Sequence, residues 1–353
     1  MTYPPLPHPV LAEVLRGGIV ESFHRGALAV VDADGAVHTL LGDIERPIFA
    51  RSAVKVLQAL PLVASGAADA LGLTDAELAQ ACASHRGEAL HASTSASMLA
   101  RAGVDVSALE CGAHWPYDEA ATQALARLGE APSALHNNCS GKHAGFVCLA
   151  CHMHGGNAHG GKGDFRGFLS GYVKPEHPVM REVTGALQEA TGFDLSRTAR
   201  GVDGCSIPTY AIPLRHLALA FARVATGTGL SDGHARAAKR LRAAVAKAPW
   251  HVAGTGRFDS VVMAHFSERV FCKVGAEAVY CAALPELGLG VAIKMDDGNT
   301  ARAAEVVMAR VIEALLPLSD ADATFMRGLS DVVMRNWNGI EVGALRAVKG
   351  NLT

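Results

Sequence analysis

Two serines and two lysines carry the chemical interest of this chain. Ser52 and Lys55 stand three positions apart in Ser52-Ala53-Val54-Lys55. Ser84 follows in Cys82-Ala83-Ser84-His85-Arg86, and Lys273 opens Lys273-Val274-Gly275 far downstream. A serine hydroxyl is a weak nucleophile near neutral pH and needs a base beside it. Positions i and i+3 of a helix share a face, so Lys55 can meet Ser52, and burial would lower its pKa enough to take the serine proton. Ser52 comes after Pro47-Ile48-Phe49-Ala50-Arg51 and is expected to open a helix, where the dipole favours developing negative charge. The chemistry suggested is acyl transfer with hydrolysis of an amide. Each element also has a plainer reading: Ser52 as an N-cap beside a solvated lysine, Ser84 as a helix C-cap, Lys273 on the open face of a strand.

The densest polar cluster is His136-Asn137-Asn138-Cys139-Ser140-Gly141-Lys142-His143, placed just before a helix whose first amides can hold an anion. A second is Val202-Asp203-Gly204-Cys205-Ser206. Paired thiolates such as Cys139 and Cys205 suit zinc, although two cysteines so far apart, with no C-x-x-C, are more often unrelated. Arg257, in Gly254-Thr255-Gly256-Arg257-Phe258-Asp259, can hold a carboxylate through two hydrogen bonds, or pair within its own loop. Lys294-Met295-Asp296-Asp297-Gly298 reads as a turn and cap.

The elements that must position these groups are strands at both ends and helices between. Strands are expected at 18–24, 26–33 and 36–42, with Asp34-Gly35 as a hairpin turn. Residues 52–267 read as mainly helical. Thr74 and Glu77 form a capping box, Gly103 and Gly129 close helices, and Pro178 opens one. Further helices are expected near 141–153, 211–225, 232–247 and 258–267, strands at 269–275, 277–284 and 289–296, then a helix at 300–316 and a strand at 340–346. This is an α+β chain: an antiparallel sheet from both termini holding a helical insert. The 353 residues form a single catalytic unit, with sheet-lobe segments 16–45 and 268–350 and a helical lobe at 52–267.

Composition excludes several classes. Net charge is −2 with no basic block, which argues against nucleic acid or an anionic membrane as partner. No apolar run is long enough to span a bilayer. The first residues show no basic or apolar signal region, so a cytoplasmic location and reduced thiols are expected for the eight cysteines.

Serine, serine and lysine in this order also occur in serine β-lactamases and penicillin-binding proteins, as S-x-x-K, S-D-N and K-T-G. Here the second motif reads Ser84-His85-Arg86, and valine replaces threonine in the third. Together the motifs resemble the class 3 (rhizobial-type, asparaginase II) L-asparaginases. The resemblance runs from RGGIVES at 16–22 through ARSAVK, CASHRGE, NNCSGKHAG, DGCSIPTYA, GTGRFD and KVGAEAVY to KMDDGNTARA at 294–303. It implies a serine β-lactamase-like fold, a homodimer and hydrolysis of L-asparagine to L-aspartate and ammonia. It makes Ser52 the nucleophile and Lys55 its base, with Ser84 and Lys273 as a second pair. It places zinc on Cys139, Lys142 and Cys205 to support substrate binding, His143 and Asp203 beside metal or substrate, and Arg51 on the substrate α-carboxylate. The alternatives are a glutaminase, a β-lactam or peptide hydrolase, or an inactive binding protein. A tuned lysine base predicts an activity optimum near about pH 8–9.5, whereas a histidine base, His85 or His143, predicts a rise near about 6.5. The segment 151–168 is longer and richer in histidine than the family pattern, and His152, His154 and His159 are candidate metal ligands or part of a solvated loop.

Overall fold

The computed structural model describes residues 8–155 and 164–348. Its main sheet has eight antiparallel strands drawn from both ends of the chain. These are β1 (Val10–Arg16), β2 (Ile19–Asp32) and β3 (Val37–Leu41) from the first end. A second, three-stranded sheet takes β4 (Pro47–Phe49), β5 (Arg200–Val202) and β6 (Pro208–Pro213), in the order β4-β6-β5. The other end supplies β7 (Phe271–Val274), β8 (Val279–Leu284), β9 (Leu289–Met295), β10 (Asp331–Arg335) and β11 (Glu341–Ala347). The main order is β10-β11-β1-β2-β9-β8-β7, with β3 also on β2. The two ends meet where Ala12 pairs with Ala347.

One long strand stands where two were expected. β2 pairs with β1 as far as Arg25 and with β9 and β3 beyond it. Its first half is largely exposed and its second half is continuously buried. That change of pattern reads as a boundary in sequence but is a change of partner in space. Gly26 permits the crossing, since a Cβ there would lie 2.5 Å from the Lys294 carbonyl oxygen.

The segment between the sheet ends is mainly helical, as its periodicity indicates. The Thr74–Glu77 capping box is formed, Gly129 closes its helix in the left-handed conformation, and Pro178 opens Pro178–Thr191. The helix expected from 211 begins only at Leu214. Proline at 213 forces the preceding residue toward extended backbone, so 208–213 becomes strand β6. Helix Leu214–Thr226 lies across β9, β2 and β8, and buries Leu217, Phe221 and Val224 against them. On the sheet's other flank, Glu305–Leu315 and Asp320–Ser330 pack together against β11 and β10.

Candidate active site

The serines and lysines singled out by type converge at the meeting of helices and sheet. Residues Arg51–Val54 form a short 3₁₀ turn that runs into helix Lys55–Ala64. Arg51, one residue before Ser52, has φ +50°, a left-handed conformation unusual for a residue with a side chain. Such local strain persists only where the surroundings enforce it. Here Asp203 does so, accepting from Nε and Nη2 of Arg51, both at 2.8 Å.

Ser52 and Ser84 line one cleft of about 410 Å³, together with His85, Arg86, Tyr117, Asn138, Arg257 and the strand end Val274-Gly275-Ala276. Ser84 leaves the end of helix Asp75–Ala81 and is fixed by its N–H to the Val252 carbonyl at 2.8 Å. Lys273 on β7 is fully buried and donates to Ser84 Oγ at 3.0 Å and to the Val274 carbonyl at 2.8 Å. Gly275 follows this strand and packs against the Ser52 turn: a Cβ there would lie 2.8 Å from the Ala50 carbonyl oxygen.

Lys55 is buried one turn beyond Ser52, but no hydrogen bond joins the two among the described residues. Its amine donates to the carbonyls of Ala83 at 2.5 Å and Asn138 at 3.4 Å, and to Cys139 Sγ at 3.1 Å. Burial disfavours its charge more than Cys139 supports it, so its pKa falls. Lys273 is pulled down to about 8, with burial outweighing the opposing charge of Asp259.

Cys139, Lys142 and Cys205 come together from elements far apart in sequence. Cys139 precedes helix Ser140–Met153 and Lys142 lies in its first turn. Cys205 sits in the β5–β6 turn, where Ser206 has φ +77°. Lys142 Nζ lies 2.9 Å from Cys205 Sγ. The Cys139 thiol is held well below its ordinary range, first by a hydrogen bond from Cys205, then by Lys55 and Lys142 against the effect of burial. The same bond, with burial, pushes Cys205 up. Burial opposes the charge of Lys142, yet the two sulfurs outweigh it and its pKa rises. By contrast the core thiols Cys82 and Cys111 are pushed up to about 12, chiefly by burial. Two sulfurs and an amine form a donor set suited to a borderline-soft divalent ion, which takes four ligands in all. Among the described residues no group of three or more His, Cys, Asp or Glu side chains is placed to hold a metal.

A profile of the L-asparaginase II family matches residues 12–347. The chain belongs to the L-asparaginase II family. No curated protein matches it. Membership makes it a hydrolase of the asparaginase type. Among the described residues no helix is long and apolar enough to cross a membrane.

Of the other predicted residues of this asparaginase-family chain, His85 lines the cleft, whereas Arg51, His143 and Asp203 do not. Arg51 and Asp203 are engaged with each other. His143 is buried and kept neutral by burial and by Lys142. Its Nδ1 contacts the Tyr172 hydroxyl at 2.7 Å, and that oxygen also accepts from the Glu110 N–H. Nε2 is buried and has no hydrogen-bond partner among the described residues. His85 accepts at Nδ1 from the Gly87 N–H and meets Ser140 Oγ through Nε2 at 2.9 Å. Its ring stacks on His91, which stacks on Trp250, so a pile of rings supports the Ser84 loop. His154 contacts the rings of Phe165 and Phe168, while His159 lies outside the described residues.

Sequence reasoning did not mark the two carboxylates that face the cleft cations, Asp259 and Glu305. Asp259 is 1% exposed in the first turn of helix Phe258–Phe266, with one oxygen 3.9 Å from Lys273 Nζ. Glu305 accepts from Arg257 Nη2 at 3.3 Å. An aspartate in the first turn of an otherwise apolar helix was the available signal for Asp259.

Proposed function

We propose that this protein hydrolyses the side-chain amide of L-asparagine to L-aspartate and ammonia through an acyl-enzyme on Ser52. The observation that carries the reading is the convergence of both Ser–Lys pairs on one cleft. Ser52 and Ser84 line it, Lys273 is hydrogen-bonded to Ser84, and Lys55 is bound to the carbonyl just before Ser84. The sheet built from both chain ends and the order of the three motifs support a serine β-lactamase-like fold.

Ser52 Oγ attacks the amide carbon while its proton passes to neutral Lys55. Lys55 must first give up one of its present hydrogen bonds, a tightening expected when substrate enters. The Ala53 N–H is taken by the Ala50 carbonyl, so the Arg51 and Ser52 amides are this turn's candidates for the oxyanion. The C–N bond then breaks and ammonia leaves with the transferred proton. Ser84, in contact with Lys273, passes protons between the reacting atoms and that second amine. Water cleaves the ester, releasing aspartate and restoring Ser52. The substrate α-carboxylate was assigned to Arg51 by resemblance. In the cleft itself Arg257 has the freer guanidinium, with Nη2 on Glu305 and its other guanidinium nitrogens without a hydrogen bond among the described residues.

Cys139, Lys142 and Cys205 fit a zinc ion, since both sulfurs and the amine already converge and one thiol favours its anion. Lys142 would ligate only as the neutral amine. Bound there, zinc would supply a fixed positive charge for a polar group of the substrate.

Ammonia release from L-asparagine and L-glutamine, beside turnover of a chromogenic β-lactam, tests the reading. Asparagine is expected to be the best substrate. Preferred turnover of glutamine or the β-lactam would reassign the substrate, and no turnover of any would make the chain a binding protein.

A further inference from the structure

Behind Ser84 and Lys273 stands a third group that the two Ser–Lys pairs leave unexplained. Asp259 is a carboxylate at 1% exposure in an apolar wall. Burying such a group is costly unless it is paired and hydrogen-bonded. It is held from several directions. Oδ2 accepts from the Val274 N–H at 3.1 Å, and Oδ1 takes the Tyr280 hydroxyl. Its place in a helix's first turn also favours the anion. The remaining approach faces the amine of Lys273, 3.9 Å from Oδ2, a charge contact rather than a hydrogen bond. The same amine reaches Ser84 Oγ at 3.0 Å. Hydroxyl, base and a fixed carboxylate behind the base are the arrangement by which an orienting acid aims a base and stabilises the cation it forms.

We propose that Asp259 is a positioning residue for the Ser84–Lys273 pair: it aims the Lys273 amine at Ser84 and stabilises the ammonium formed when that amine takes a proton. In that step the Ser84 O–H bond breaks and an N–H bond forms on Lys273. The charge so created faces Asp259 from helix Phe258–Phe266, Cys272 on its own strand, Lys55 from helix Lys55–Ala64 and Cys139 beyond it. Asp259 is the one carboxylate among these. It is also what separates the two amines: among the described residues Lys55 has carbonyls and a thiol as partners, and no carboxylate.

The proposal rests on the asparaginase reading for the reaction that Lys273 serves, and its test separates the two. Asp259→Asn keeps the shape and the acceptor for the Val274 N–H but removes the charge. In the full-length enzyme the plateau rate should fall at least about tenfold. The pH limb belonging to Lys273 should move to lower pH by about one unit, because an opposite charge within a few ångströms shifts a pKa by that order. A residue with only a structural role would lower the rate without moving the limb. Asp259→Asn made in Lys273→Ala should cost less than about threefold further, since groups that act as a unit are non-additive. It should also raise the melting temperature of Lys273→Ala, by removing a carboxylate left buried without its partner. An unmoved limb in an active Asp259→Asn, or an equal loss in both backgrounds, overturns the proposal. If the single variant does not fold, a Lys273→Ala protein that gains no stability from Asp259→Asn overturns it instead. Wild-type protein without ammonia release from asparagine would overturn the substrate reading, while the melting comparison would still judge the pairing.

Discussion

The groups behind the two walls of the cleft are charged in different ways. On the helical side the buried cations are Lys55 and Lys142, and their nearest matches are the sulfurs of Cys139 and Cys205. The carboxylate there, Asp203, is committed to Arg51, which with Lys142 holds it below its usual range despite burial. On the strand side the cations are Lys273 and Arg257, each facing its own carboxylate, Asp259 and Glu305. Sulfur is a soft ligand whose proton can give way to a metal, so the first wall suits ion binding. A carboxylate leaves protons mobile and orients their carrier, so the second wall suits proton transfer and the anchoring of an anionic substrate group. Ser52 stands at the seam, where Gly275 packs against its turn.

The largest test of this division is at the seam. Ser52→Ala should lower turnover about 10⁴-fold or more, with the melting temperature little changed. A variant retaining a tenth of wild-type turnover would remove Ser52 from the chemistry. Ser84→Ala should also be severe, and adding it to Ser52→Ala should cost little more, because the groups act together. Multiplicative losses would mean that the two walls work independently.

On the strand side, the proton carrier should show itself in the pH profile. Lys273 accepts a proton only when neutral, and its pKa lies near 8. Activity is therefore expected to rise with pH through that value, in keeping with the alkaline optimum read from sequence. Lys273→Ala should lose that limb and about 10² to 10⁴ in rate, the span of general acid–base catalysis. A rise near about 6.5 that disappears in His85→Ala or His143→Ala would move the role to histidine. That outcome conflicts with the burial of both rings, which drives their pKa values well down.

On the helical side, Cys139→Ser and Cys205→Ser should each lower bound zinc, measured by elemental analysis of protein prepared without chelator. If the ion serves substrate binding, both should raise KM more than they lower kcat, by about tenfold or more, as loss of a ligand or its support does. Full zinc in both variants would move the ligands elsewhere and erase the contrast between the walls.

Much of this contrast was legible in the sequence, and the reasons for the exceptions are physical. Ser52, Lys55, Ser84 and Lys273 were marked by residue type and local pattern, and they do converge. Strands β7, β8 and β9 and helices such as Pro178–Thr191 followed from periodicity and caps. β1 and β10 did not. Val10–Arg16 carries no distinct alternation before it pairs, and Asp331–Arg335 is an edge strand with three of its five residues exposed. Asp259 was hidden for another reason: its meaning depends on Lys273, Val274 and Tyr280, whose nearness comes only from helix Phe258–Phe266 lying on β7. The pairing of Arg51 with Asp203 was equally out of reach, because the small sheet that joins β4 to β6 brings them together.

The smallest effect is expected at Arg257 and Glu305, and there the sign is the informative part. Arg257→Ala should raise KM for asparagine about ten- to a hundredfold, the worth of a charge-assisted hydrogen bond to a carboxylate. Glu305→Gln should do the opposite, weakly. The contact is 3.3 Å long and Arg257 is about one-third exposed, so solvent screens it. Glutamine keeps an oxygen acceptor in place, so the guanidinium stays aimed. What is lost is a negative charge competing with the substrate carboxylate, and KM should fall about two- to fivefold. Burial raises the Glu305 pKa, against the pull of Arg257, so acid should neutralise this carboxyl before an exposed one. As pH falls through that titration, the wild-type KM should approach that of the variant. A KM that rises in Glu305→Gln, or a difference from wild type that persists in acid, would show that the charge of Glu305 organises Arg257 rather than competing for it. Both cations of the strand wall would then depend on a carboxylate for their placing, and the contrast with the sulfur-matched wall would sharpen.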